Sequence, residues 1–305
     1  MTNQSDDHPV TDYFYKSTDG LRLHCAVHSA RRPGGRPVLC LPGLTRNGRD
    51  FATLAEHLHE RHEVLALDLR GRGRSAWDPD WSHYQLPIYV QDAWTLLESR
   101  ETAPVIVVGT SLGALMGLVM AAARPERIAG LVLNDAGPEL DPAGIQRIAG
   151  YVGQLGAVAN WTEAVAQAKS VYGNTLPGLS DAQWLAYAQR SYRENAQGVP
   201  VPDMDPRIAD AFRNQNSAPV DLWAVFAQIV SVPLLVVRGA LSDLLAPTTV
   251  ARMACEKPGL KNVTVAQRGH APLLDEPECI AAIDQFLSIN GLESDRCSHA
   301  HATDG

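Results

Sequence analysis

Four short, almost uninterrupted apolar runs mark the first part of the chain: Pro37 to Leu41, Val64 to Leu69, Val105 to Val108 and Ile128 to Leu133. Apolar at successive positions rather than at every second one, they predict strands buried on both faces. Helical periodicity fills the gaps. Phe51, Leu54, Ala55 and Leu58 share one face of a helix over Asp50 to Glu60, and Ile88 to Ser99 and Ser111 to Ala123 read as helices too. In front, Phe14 to Lys16 and Leu21 to His28 flank Thr18-Asp19-Gly20, the pattern of an opening hairpin. Strands that alternate with helices at this spacing imply an α/β fold, a mostly parallel sheet of eight strands with helices on both faces.

The rhythm stops after Pro138. From Glu139 to about Val230 the pattern is helical and rich in aromatic residues, with no convincing buried strand and one proline-punctuated loop, Gly198 to Pro206. Strand–helix alternation resumes with Pro233 to Arg238, Pro247 to Cys255 and Val263 to Val265, and a closing helix is expected from Pro277 to about Ile289. The chain therefore divides into a core over 1–137 and 231–290, a helical cap inserted over 138–230, and a polar tail over 291–305 expected to be disordered. In parallel sheets of this kind ligands sit beyond the carboxyl ends of the strands. The insertion is placed to cover that edge, with only two or three of its nine aromatic side chains facing a ligand.

One predicted strand end carries chemistry. Val105 to Val108 runs into Gly109-Thr110-Ser111-Leu112-Gly113, and an apolar helix follows. A serine at a sharp strand-to-helix turn adopts a sparsely populated backbone conformation, at a cost of about 1–3 kcal/mol, and its hydroxyl stands clear of the strand. Ser111 is thus the candidate nucleophile. A serine hydroxyl needs a base, and in turns of this type the chain order is serine, acid, histidine. Of ten histidines, that order leaves His270, His299 and His301, and the last two lie in the polar tail. His270 is the candidate base. Two aspartates sit at strand ends between Ser111 and His270, Asp243 and Asp135, and either can orient the imidazole. The N–H groups of Leu112, at the helix start, and of Leu44, in the Gly43-Leu44-Thr45 loop, are the expected donors to a tetrahedral oxyanion.

Composition narrows the partners. The chain has 305 residues, 45% hydrophobic and 20% charged, with a formal net charge of -8, which argues against nucleic acid and anionic membrane surfaces. The longest apolar stretch, Leu112 to Ala123, is too short to cross a bilayer. Met1 to Pro9 is polar and acidic, unlike a signal peptide, and five scattered cysteines show neither pairing nor metal spacing. A cytoplasmic protein with reduced thiols, no metal, no cofactor and a small-molecule substrate is expected; the oligomeric state is left open.

Taken in order, Leu41-Pro42-Gly43, Asp68-x-Arg70-Gly71-x-Gly73-x-Ser75, Gly109-x-Ser111-x-Gly113, Ala123-Arg124-Pro125-Glu126-Arg127, Ser242-Asp243 and Gly269-His270 resemble the α/β-hydrolase fold family, in particular its cap-bearing, cofactor-free bacterial members. The resemblance spans roughly Tyr13 to Ile289. Many relatives carry His-Gly where this chain has Pro42-Gly43, which leaves the anchor of that loop unassigned. The serine at 111 argues against the dehalogenase and epoxide-hydrolase branches. Ser242-Asp243 matches the family's usual acid position, so the resemblance favours Asp243, with Asp135 as the alternative. It implies a serine hydrolase of a small ester, lactone or related acyl compound. Two other functions stay in view, a carbon–carbon bond hydrolase of β-diketone-like substrates and a non-catalytic ligand receptor. Arg46, Trp184 and Trp223 are candidate substrate contacts, with Asn47 as another polar anchor.

Overall fold

The computed structural model describes residues 10–214 and 220–293. The two ends, with the expected tail from 294 onward, His299, His301 and Met1 to Pro9, lie outside the described residues. Within them, Leu292 is buried and its carbonyl accepts from the Arg36 N–H at 3.2 Å, so the chain holds to the core at least that far.

The hairpin forms from β1 (Thr11–Lys16) and β2 (Arg22–His28), and the apolar runs become β3 (Val38–Leu41), β4 (Val64–Asp68), β5 (Val105–Thr110) and β6 (Ile128–Asn134). Two later strands, β9 (Leu234–Gly239) and β10 (Lys261–Val265), complete an eight-stranded sheet in the order β1-β2-β4-β3-β5-β6-β9-β10. The β1–β2 and β2–β4 pairs are antiparallel and the rest are parallel. Side chains alternate between the faces, as the pleat requires. Leu39, Leu41, Val107, Leu131, Leu133 and Val236 enter one apolar layer, while Val38, Cys40, Ile106, Val108, Val132 and Val237 enter the other. Helices α2 (Leu86–Ser99), α3 (Leu112–Ala123) and α9 (Pro247–Glu256) cover the first face, and α1 (Ala52–Leu58) and α10 (Pro277–Ile289) the second. Burial on both faces explains why these strands lack polar alternation.

Register brings the carboxyl ends together. Leu41 pairs with Gly109, Gly109 with Leu133, and Leu133 with Val236. The residues immediately beyond, Gly43, Ser111, Asp135 and the turn after Gly239, therefore share one edge.

Between β6 and β9 lie α4 (Pro142–Tyr151), α5 (Trp161–Tyr172), α6 (Asp181–Ser191), α7 (Ile208–Arg213) and α8 (Leu222–Gln228). The starts of α4, α5 and α6 are capped by Asp141, Asn160 and Ser180, the last in a reciprocal box with Gln183. Two features depart from the sequence reading. The expected loop contains β8 (Pro200–Pro202), which forms an antiparallel ribbon with β7 (Tyr192–Glu194) just before it; Arg193 pairs with Val201, and each proline takes an end position that keeps it out of a central ladder. Helix α8 lies on the sheet rather than with the insertion, since Phe226 and Ile229 belong to the same apolar layer as α3.

Candidate functional site

The turn after β5 is forced by sterics. Ser111 has φ 54° and ψ -113°, in the left-handed half of the map that side chains avoid. A Cβ at Gly109 would stand 2.2 Å from the Gly113 carbonyl oxygen, and one at Gly113 would stand 2.0 Å from that of Leu41. Only glycine fits either place. The Ser111 N–H donates to Asn134 O at 3.0 Å, which ties the turn to β6.

His270 reaches the same edge from the loop after β10. Gly269, whose Cβ would meet Thr175 at 2.9 Å, allows that loop to press against the insertion, and its N–H donates to Thr175 O at 2.6 Å. Asn134 holds the other side, its Nδ2 donating to Pro272 O at 2.9 Å and to Thr110 Oγ1 at 3.0 Å. His270 Nε2 lies 2.8 Å from Ser111 Oγ, and His270 Nδ1 lies 2.9 Å from Asp135 Oδ2. A carboxylate only accepts, so Nδ1 carries the proton and Nε2 is left to accept from the serine hydroxyl.

Asp243 is not the residue against His270. Its carboxylate is gripped by Arg147 of α4, Nε to Oδ2 at 2.5 Å and Nη2 to Oδ1 at 2.8 Å, and that guanidinium holds the acid below the ordinary carboxylate range. Its neighbour Ser242 faces the site instead, with Oγ donating to Asp135 Oδ2 at 2.6 Å. Asp135 is fully buried and also accepts from the Gly239 N–H at 2.8 Å. Three donors therefore satisfy its carboxylate, which a buried charge requires. Like Ser111 it has positive φ, 57°, a conformation that aspartate tolerates better than most residues.

The two expected oxyanion donors, Leu112 and Leu44, both line the cavities at Ser111. Leu112 opens α3, where an N–H has no intrahelical acceptor. Leu44 lies across the cavity, and its carbonyl accepts from Arg72 Nε at 2.9 Å and Nη2 at 2.8 Å. Arg72 is fully buried, and its Nη1 donates to Arg70 O at 2.7 Å and to Tyr89 Oη at 2.8 Å. This fork anchors the loop left unassigned by Pro42. The rest of the Asp68 to Ser75 segment is internal bonding. Asp68 accepts from the N–H groups of Gly48 and Arg74 at 2.8 and 2.9 Å, while Arg70 meets Asp92 through two bonds of 2.7 Å. Among the described residues Asp19, Asp78 and His83 have metal-ligand spacing, but Arg70 Nη1 already donates to Asp19 at 2.8 Å and Asp78 at 2.6 Å, so this cluster serves the loop.

Two cavities meet at Ser111. One, of about 80 Å³, is lined by Arg46, Tyr151, Tyr172, Tyr187, Arg190 and His270 among others; the second, of about 470 Å³, is lined largely by apolar groups such as Leu86, Leu115, Ile145, Ile148 and Phe212. Arg46 thus borders the site, though Asp50 binds its Nε and Nη2 at 2.6 and 2.5 Å. Asn47 is turned away, donating to Arg190 O at 2.9 Å and Asp203 Oδ2 at 3.2 Å. Trp184 packs in the insertion's own cluster with Tyr172, Leu176 and Tyr187. Trp223 lies over the sheet, its Nε1 donating to Glu139 at 3.1 Å and its ring under Arg252. Neither tryptophan lines these cavities. Four of the nine aromatic residues do: Tyr151, Tyr172, Tyr187 and Phe212.

The α/β hydrolase fold family model matches residues 36–277, most of the chain. The chain belongs to the α/β hydrolase fold family. A 3-hydroxybutyrate-oligomer hydrolase of Cupriavidus necator is 34% identical over 265 residues, covering 83% of this chain and 88% of that protein. The 2-(acetamidomethylene)succinate hydrolase of Mesorhizobium japonicum is 25% identical over 261 residues, covering 85% and 91%. The crystal structure of an α/β hydrolase from Novosphingobium aromaticivorans superposes with a TM-score of 0.85 at 43% identity, over 92% of this chain and 98% of that one. Like these relatives, this α/β hydrolase is a hydrolase by class. No helix among its described residues is long and apolar enough to cross a membrane.

Proposed function

We propose that this α/β hydrolase cleaves small carboxylic esters through an acyl-enzyme, with Ser111 as nucleophile, His270 as base and acid, and Asp135 rather than Asp243 as the orienting carboxylate. The observation that carries the reading is the continuous chain of hydrogen bonds from Ser111 Oγ through His270 to Asp135, 2.8 and 2.9 Å. Ser111 Oγ attacks the ester carbonyl as its proton passes to His270 Nε2. The negative oxygen that forms is met by the N–H groups of Leu44 and Leu112, and removal of one such donor typically costs about 3 kcal/mol of transition-state stabilisation. His270 returns the proton to the departing alkoxide. Water, deprotonated by His270, then releases the acid and restores the serine. Asp135 keeps the imidazole in the right tautomer and stabilises its cation.

The part of the segment over 138–230 that precedes α8 acts as a cap on this site, its α4, α5 and α6 supplying cavity wall through Ile148, Tyr151, Tyr172 and Tyr187. Such walls exclude water and shape the substrate. The Cupriavidus necator relative supports an ester, since a hydroxy-acid oligomer is joined by ester bonds. The test is covalent labelling with a fluorophosphonate and hydrolysis of short p-nitrophenyl esters. A mass increment on the Ser111 peptide together with turnover is expected. A protein that binds ligands but neither labels nor hydrolyses would overturn the esterase reading in favour of a receptor.

A further inference from the structure

Tyr172 sits at the end of α5 with 5% of its surface exposed, and its hydroxyl has no hydrogen-bond partner among the described residues. Buried hydroxyls are nearly always paired, so an orphan on the lining of a cavity points to a missing acceptor. Its ring is fixed between Tyr151 and Tyr187, with centroids 5.4 and 5.2 Å away and both contacts edge-to-face. The hydroxyl is therefore held in place before any ligand arrives. Charge gives the sign of that ligand. The charged side chains lining this cavity are Arg46, Arg190 and Asp50, two positive to one negative. Asp50 spends both oxygens on Arg46, while Arg190 Nε stands 3.5 Å from it without a hydrogen bond. Asp275 faces Arg190 from outside the lining; burial raises its carboxyl above the ordinary range, against the pull of the Arg190 and Arg268 charges. The Arg46 guanidinium in addition lies 4.3 Å over the Tyr187 ring.

We propose that the cavity lined by Tyr172 and Arg190 is a subsite for a free carboxylate carried by the substrate a few atoms from the scissile ester, and that the apolar cavity on the other side of Ser111 takes the alkyl portion. A carboxylate accepts from the orphan phenol and from the Arg190 guanidinium, whose Nε has no hydrogen-bond partner, whereas a methyl end does neither. This rests on the esterase reading and narrows it to half-acid esters, such as esters of hydroxy acids or dicarboxylic acids.

Two probe esters of similar length test it, p-nitrophenyl hydrogen glutarate with a free carboxylate and p-nitrophenyl hexanoate without one. The wild type is expected to favour the glutarate. Tyr172→Phe, which keeps the ring packing, should lower kcat/KM about tenfold more for the glutarate than for the hexanoate, chiefly through KM. Arg190→Gln should act in the same direction. Equal loss on both esters would show that Tyr172 only packs, and no loss on either would show that nothing binds to it; each result overturns the subsite while the esterase reading stands. If the wild type hydrolyses neither ester and Ser111 takes no label, the esterase reading falls and the subsite falls with it.

Discussion

The sheet edge and the insertion above it are held together by different physics. At the edge, groups are fixed by backbone. Ser111 and Asp135 take positive φ in turns that continuous strands define, Gly109 and Gly113 leave no room for a side chain, and buried polar groups such as Asp135, Asn134 and Arg72 are tied by several hydrogen bonds each. The insertion is a layer of short helices around small apolar cores, one of them aromatic, joined to the sheet domain by side-chain contacts such as Arg147 with Asp243, Asn47 with Asp203, and Tyr84 with Asp205 at 2.7 Å. The difference separates two tasks. A proton-transfer chain tolerates little displacement, because a misplacement of about 1 Å can cost about 10²-fold in rate, whereas a substrate wall can vary one side chain at a time.

Variants at the edge should therefore lose rate, and variants in the insertion should change preference. Ser111→Ala is expected to have the largest effect, lowering kcat by about 10⁴-fold or more with an unchanged melting temperature, and His270→Ala should match it because the two act as a unit. Retention of more than a few per cent of activity in Ser111→Ala would place the nucleophile elsewhere. Arg72→Lys comes next. Lysine keeps the charge but cannot form the two-pronged bond to Leu44 O, so the loop loosens and kcat should fall by about 10²-fold, with KM nearly unchanged. An equal fall in thermal stability and no specific loss of kcat would make Arg72 a fold residue alone. The smallest effect is expected at Trp223→Phe. Its ring lies outside both cavities, so preference among acyl chain lengths should stay within about twofold when measured across a p-nitrophenyl ester series.

What the chain discloses in advance follows the same division. The strands were legible because a strand buried on both faces writes an unbroken apolar run, as in Val105 to Val108. Ser111 was legible as a candidate because its neighbouring glycines have a steric cause, and His270 because chain order and a polar tail removed its rivals; the structure brings the two within 2.8 Å. The residue pattern did not separate the two aspartates, and the family resemblance favoured Asp243, whereas Asp135 is the one against His270. Both follow strands, and the choice depends on which side chain meets His270, a matter of the turn after β9 and of Arg147, which lies in the insertion 96 residues before Asp243 and takes its carboxylate. The Ser242-Asp243 motif lies in a turn that meets Asp135 from the side, where Ser242 rather than Asp243 touches the buried acid. Arg72 was hidden for a similar reason, for its target is a carbonyl 28 residues away. The β7–β8 ribbon escaped because three-residue strands with two prolines carry no periodicity. In the insertion, Trp184 and Trp223 drew notice by size, yet the wall is built from tyrosines, whose hydroxyl suits a wet cavity while a large indole fills a core.

The central claim, that Asp135 orients His270 while Asp243 braces the insertion, is tested most directly by steady-state kinetics of Asp135→Asn and Asp243→Asn on one p-nitrophenyl ester. An amide at the true position can present the imidazole with the wrong hydrogen-bond partner and trap the wrong tautomer, so Asp135→Asn should lower kcat by about 10⁴-fold. Asp243→Asn should retain kcat within a few fold. A near-wild-type rate for Asp135→Asn together with a loss of several orders of magnitude for Asp243→Asn would contradict the account.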